Sequence, residues 1–238
     1  MSWVPNKARL GGALVAALLV TGAASAAANV LVVRSSGPSA RSYPAGRSLP
    51  DNARLELRAG DQIMILANGG TRTFRGPGTF SPAGAQTGAR TARSGDRIAR
   101  IGAVRSAGII PRGPTIWHVD VTQGGNFCLA GTTNVMLWRP DASAPVRLTV
   151  AGPGGAPRTV PWPAGQPTRS WPRGAALANG ATYSFSQPGV AVPTRITFRI
   201  LTTPLNDVQG VAEALIANGC EGQLDVLVES QPDQSAGR

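Results

Sequence analysis

Glycine and proline punctuate this chain so densely that what remains between them is mostly short: 30 Gly and 20 Pro stand among 238 residues. Glycine enters left-handed turn conformations without steric cost, and proline removes an amide donor, so each interrupts regular structure. The intervening runs are apolar or alternate polar with apolar, the mark of strands joined by turns. The expected fold is therefore mainly β, built as two modules.

The first module is expected over residues 29–80. Val30-Leu31-Val32-Val33 reads as a buried strand, and Arg54-Leu55-Glu56-Leu57-Arg58 alternates as a half-buried strand does. Gly60-Asp61 is a turn before a further strand, Gln62-Ile63-Met64-Ile65-Leu66. Asn68-Gly69 then separates that run from Thr71-Arg72-Thr73-Phe74-Arg75, the strongest short-range hairpin signal. Gly76-Pro77-Gly78 breaks the chain before Thr79-Phe80.

Val30 to Val33, Gly46, Leu49, the run Leu57-Arg58-Ala59-Gly60-Asp61 and the Gly70-to-Thr73 ladder closed by Gly-Pro-Gly resemble a FecR-type periplasmic domain. The resemblance covers about 50 residues and rests on turn chemistry. It implies a small β-unit of glycine-punctuated strands. Members of that family relay an outer-membrane signal through a transmembrane helix, where this chain instead carries a secretory-type start.

Residues 81–115 hold Arg90, Arg93, Arg97, Arg100, Arg105 and Arg112 among Gly, Ala and Ser, with no sustained period. They read as an Arg-rich linker. The 3-4-3 spacing of Arg90, Arg93, Arg97 and Arg100 would place them on one face of a short helix, which Gly95 interrupts.

The second module, residues 116–230, carries regularly spaced strand signals. They are Trp117 to Val121, Asn126 to Leu129, Val135 to Trp138, Val146 to Val150, Thr182 to Phe185 and Thr194 to Leu201. Such spacing suggests a β-sandwich-like domain. One amphipathic helix is expected near the C-terminus. Asn206 and Gln209 form a capping-box pattern, Val208, Val211, Ala212, Leu215 and Ile216 share one face, and Asn218-Gly219 ends it. Leu224, Val226 and Val228 read as a final strand, with Asp225 and Glu229 opposite and able to pair with Arg195 and Arg199 of a neighbouring strand. Residues 231–238 are expected as a disordered tail.

The first 28 residues specify destination. Lys7 and Arg9 precede an uncharged apolar run, Leu10 to Val20, and Ala24-Ser25-Ala26 offers a small-residue cleavage site. That order is a secretory signal peptide, and an uncleaved anchor is its alternative. Export places the protein in the periplasm or outside the cell, with no membrane span after cleavage. Cys128 and Cys220 are the only cysteines. In an oxidising compartment the expected state is a structural disulfide, which would contribute about 4–5 kcal/mol in the chain-entropy account. The alternative, a redox pair, lacks the Cys-x-x-Cys spacing.

Nothing in the chain assembles a catalytic set, so no enzyme activity is expected; a hydrolase built from scattered carboxylates is the alternative. His118, the sole histidine, shares a strand face with Asp120, but no Gly-x-Ser-x-Gly elbow supplies a nucleophile. One histidine and two bonded cysteines leave no dedicated metal set, and no Gly-Lys-Ser/Thr completes a phosphate loop, so no cofactor is expected. Trp162-Pro163-Ala164-Gly165 and Trp171-Pro172-Arg173-Gly174 form a small repeat. Its tryptophans either cover a β-core or stand exposed to stack against a partner.

Charge is the remaining signal. From Val30 to Thr115 there are 13 Arg and four acids, a net of +9, whereas Ile116 to Arg238 carries eight of each. Either the first half is a solvated basic surface or it meets an anionic partner. With no recognition helix, zinc finger or aromatic-interleaved motif, nucleic acid is not expected. An acidic face of an envelope protein is the expected partner, and an anionic envelope polysaccharide the alternative.

Overall fold

The computed structural model describes Met1 and residues 29–67, 69–83, 113–203 and 205–235, and over these the protein is mainly β with two C-terminal helices. The expected signal peptide, residues 1–28, lies outside the described residues apart from Met1, as does most of the expected Arg-rich linker. No helix among the described residues is long and apolar enough to cross a membrane.

The first module holds β1 (Asn29–Ser36), β2 (Ser48–Pro50), β3 (Leu55–Leu57), β4 (Gln62–Ala67), β5 (Gly70–Arg75) and β6 (Gly78–Phe80). An antiparallel sheet runs β2-β1-β4-β5, and β3 pairs with β6 as a second, two-stranded sheet. Asn68 is outside the described residues, yet Ala67 pairs with Gly70, as the expected two-residue hairpin requires. The unbroken apolar run of β1 has a direct cause: both faces of its sheet are covered. Val30 and Val32 pack with Leu49, Leu55, Leu57, Ile63 and Ile65, while Leu31 and Val33 turn to the other side and meet the C-terminal helices.

The second module contains β7 (His118–Asp120), β8 (Gly125–Leu129), β9 (Met136–Trp138), β10 (Val146–Ala151), β11 (Arg158–Trp162), β12 (Thr168–Ser170), β13 (Thr182–Ser186) and β14 (Thr194–Ile200). Five strands form the order β11-β10-β13-β14-β8 and three the order β12-β9-β7. Val119 and Leu137 of the smaller sheet share one core with Leu148, Val150, Tyr183, Phe185, Ile196 and Phe198 of the larger. The two sheets thus pack face to face, as the alternating strands require.

The C-terminus departs from the sequence expectation in three ways. First, helix α1 (Val208–Ala217) is capped by Asp207, not Asn206: its carboxylate accepts from the Gly210 amide at 2.6 Å. Gln209 bonds forward to Glu213 and so closes no capping box. Second, the expected final strand is a second helix, α2 (Glu221–Glu229). Leu224, Leu227 and Val228 are its buried face, at helical spacing, and Val226 is only half-buried. Asp225 accordingly pairs with Arg34 of β1; the expected strand beside Arg195 and Arg199 does not form, because β14 lies between β13 and β8.

Third, Pro232, Gln234 and Ser235 of the tail are hydrogen-bonded to β5. Thr71 of β5 donates its amide to the Pro232 carbonyl and accepts from the Gln234 amide, at 2.9 and 2.8 Å. The Gln234 side chain accepts from Arg72, and the Thr73 amide donates to Ser235 Oγ at 2.7 Å. The tail thereby covers an otherwise open sheet edge.

Cys128 and Cys220 are disulfide-bonded, with Cα atoms 5.9 Å apart. Beside them the buried Gln223 side chain acts as a peptide group would. Its Oε1 accepts from the Cys128 amide at 2.6 Å, and its Nε2 donates to the Cys128 carbonyl at 2.9 Å and the Ile116 carbonyl at 2.8 Å. The edge strand β8 is thus closed by a helix side chain. The helices pack with Leu31, Val33 and Leu66 of the first module as well as with Cys128 and Leu201 of the second. The expected boundary at residue 116 is therefore bridged by a shared core.

Candidate functional site

Arg90, Arg93, Arg97 and Arg100, the expected partner-binding arginines, lie outside the described residues. Trp162 and Trp171, their expected companions, differ in exposure: Trp162 is buried and Trp171 half-buried. Trp162 is 1% exposed and belongs to the sandwich core. Trp171 packs edge-on against Tyr183, Phe185 and Phe198. Both copies of the repeat close the same way: Trp162 Nε1 donates to the Gln166 carbonyl at 2.6 Å, and Trp171 Nε1 to the Ala175 carbonyl at 2.7 Å. Gly165 and Gly174, at φ near +75°, let the chain turn back to present those carbonyls. Trp-Pro-x-Gly here closes on itself, and each indole N–H is already satisfied within its own turn.

Buried Arg139 lies over the Trp162 ring, 5.1 Å from its centroid. Its guanidinium donates to the carbonyls of Ala144 and Pro163, each at 2.8 Å. This arginine is structural.

The charge signal acquires geometry at one end of the first module. Asp61, buried behind the Gly60 turn, gathers three loops. Its Oδ1 accepts from the Ser39 amide at 2.8 Å, its Oδ2 accepts from the Arg58 amide at 2.5 Å, and its carbonyl accepts from the Gly76 amide at 3.0 Å. Gly37 permits the approach: a Cβ there would stand 2.5 Å from Asp61 Oδ1, and its φ is +97°. Burial pushes the Asp61 carboxyl up, but the Ser39 and Arg58 hydrogen bonds and the Arg58 charge outweigh it and hold the group below the usual carboxylate range.

Each gathered loop carries an exposed arginine at or within two residues of its anchor: Arg41 beyond Ser39, Arg58 itself, and Arg75 before Gly76. Arg41 and Arg75 make no ion pair among the described residues, and the acid that sits among them has its oxygens turned inward on amides. The result is a basic tip. Sequence reading identified the Gly60-Asp61 turn but not its role as a hub, because its partners lie in loops remote in sequence.

The second arrangement is a cleft of about 280 Å³ between β7, the start of β8 and the side of α2. His118 and Asp120 line it from the same side of β7. They make no hydrogen bond to one another. His118 Nδ1 lies 2.8 Å from Thr115 Oγ1, while Asp120 Oδ1 accepts from the Thr122 amide at 2.8 Å and its hydroxyl at 2.6 Å. The His–Asp contact on which a triad depends is not formed. Burial lowers the His118 pKa and raises that of Asp120, against the Thr122 hydrogen bonds.

A larger groove, about 570 Å³, runs between β1, β4 and the two helices, with the Arg34–Asp225 pair in its wall. That pair matches Arg34 with Asp225, and Glu221 also lines the groove. Comparison with family models, curated proteins and solved structures finds no match for this chain.

Proposed function

We propose that this is an exported, non-enzymatic β-rich binding protein whose first module docks on the acidic face of another envelope protein. The observation that carries the reading is the tip around Asp61, where three loops present Arg41, Arg58 and Arg75 on one scaffold. The hub carboxylate bonds inward and feels the charge of Arg58, which leaves Arg41 and Arg75 without an ion pair among the described residues, and such a basic patch attracts and orients an acidic partner. Export is supported by the order of charged, apolar and small residues over 1–28 and by the disulfide, a bond of oxidising compartments. The FecR-type resemblance of residues 29–80 suggests the setting, an envelope assembly that passes on a signal. Arg90, Arg93, Arg97 and Arg100 extend the same positive sign along the chain.

The test is affinity capture from envelope extract with wild type and an Arg41→Ser/Arg58→Ser/Arg75→Ser variant. Exposed charges are screened beyond about 10 Å at 0.1 M salt and about 3 Å at 1 M. The wild type is expected to retain an acidic protein at the lower salt and release it at the higher. The variant should lose it at both while keeping its melting temperature, because exposed charges hold little fold energy. Identical recovery by both proteins would refute the reading, and retention of polysaccharide instead of protein would move it to an anionic polymer.

A further inference from the structure

The cleft beside β7 combines apolar walls with carboxylates. Phe127, Ile196 and Val226 give it apolar walls, and Asp120 and Asp225 line it from two different elements. No arginine is among its described lining residues, although the chain carries 21 Arg beyond residue 28. Asp225 already has a cation in Arg34. Asp120 has none among the described residues. Its Oδ1 is held by Thr122, and its Oδ2 accepts no hydrogen bond among the described residues.

A partly buried carboxylate without a counter-charge is costly, and a fold rich in arginine has a ready means of pairing it. Leaving it unpaired in a concave, half-apolar space is the arrangement of a site completed by its ligand. The Thr122 clamp fixes the carboxylate orientation before any ligand arrives, which lowers the ordering cost of binding. The imidazole of His118, two residues away on the same strand face, is held by Thr115. Burial favours its neutral form, so it adds a hydrogen-bonding edge without opposing a cation.

We propose that this cleft binds a small organic cation, a primary ammonium or guanidinium group on a short apolar stem. The charged head meets Asp120 and the stem lies against Phe127, Ile196 and Val226. The cleft volume suits a ligand of this size and is too small for a folded partner's surface. The site is separate from the basic tip and does not depend on the docking reading.

The test uses agmatine, a guanidinium and an ammonium joined by a four-carbon stem, as the probe, and butylurea, which has the same stem and neither charge, as the control. Titration calorimetry on the full exported chain is combined with NMR of the His118 ring, whose signals are unique because it is the only histidine. Agmatine should bind saturably at one site and shift the His118 resonances. Butylurea should bind at least about tenfold more weakly, a difference of about 1.4 kcal/mol. Asp120→Asn keeps an oxygen acceptor for Thr122 and should fold with unchanged melting behaviour at low pH. It is expected to weaken agmatine by the same factor, whereas Asp141→Asn, on an exposed loop, should not. Equal binding of agmatine and butylurea, agmatine binding unaffected in Asp120→Asn, or no shift at His118 would each overturn the proposal.

Discussion

At the scale of single residues, the molecule separates charges that hold structure from charges left for contact. Asp61 belongs to the first kind. Its carboxylate replaces the missing partners of the Ser39 and Arg58 amides, so ionisation and fold are linked. Because its folded pKa lies below the usual value, its stabilisation is present above about pH 4 and is lost as pH falls through the folded value. Asp61→Asn should therefore be less stable than wild type at pH 7. The gap should narrow steadily in urea melts taken below about pH 4, where wild type loses the same charge. A constant gap across that range would mean that geometry alone, not charge, holds the three loops. Little of this was legible beforehand: the Gly60-Asp61 turn is visible as a turn, but Ser39 and Gly76 reach it from 22 and 15 residues away. The tryptophan repeat shows the converse. Its regularity was legible, yet the closure of each indole on the carbonyl four residues later comes from backbone geometry that composition does not encode.

At the scale of elements, legibility followed the strength of the local period. The β4–β5 hairpin and the α1 helix were expected where they stand, since a two-residue turn and an apolar helical face are both local signals. Helix α2 was not. Leu224, Val226 and Val228 alternate, while Leu224, Leu227 and Val228 recur at helical spacing, and five residues are too few to separate the two periods. Tertiary constraints decided it. Cys220 is tied to Cys128, and Gln223 must turn inward to close the β8 edge, which a helix beginning at Glu221 achieves. Replacing both cysteines by alanine should cost about 4–5 kcal/mol in chain entropy, seen as a lower denaturation midpoint. The module cores should remain, because Gln223 still bonds Cys128's backbone position. A variant as stable as wild type, or free thiols in protein purified from its native compartment, would contradict this assignment. The tail was missed for a similar reason: its pairing with Thr71 uses backbone groups, and polar residues near a chain end carry no strand signal.

At the scale of the whole molecule, the C-terminal helices and tail return to the first module, so the chain's two halves share a core despite their different charge. Their charge asymmetry then has a spatial meaning. The balanced half supplies a sandwich, a disulfide and the β7 cleft, and the basic half supplies an Arg-bearing end shaped by Asp61. The most direct test of docking through that end is site-specific photo-crosslinking in envelope extract. A crosslinking residue would be placed in turn at positions 41, 58 and 75, and at the exposed Arg147 and Arg158 positions of the second module. The account expects one acidic protein to be captured from the three tip positions and not from 147 or 158. Capture from the second module with none from the tip would contradict it.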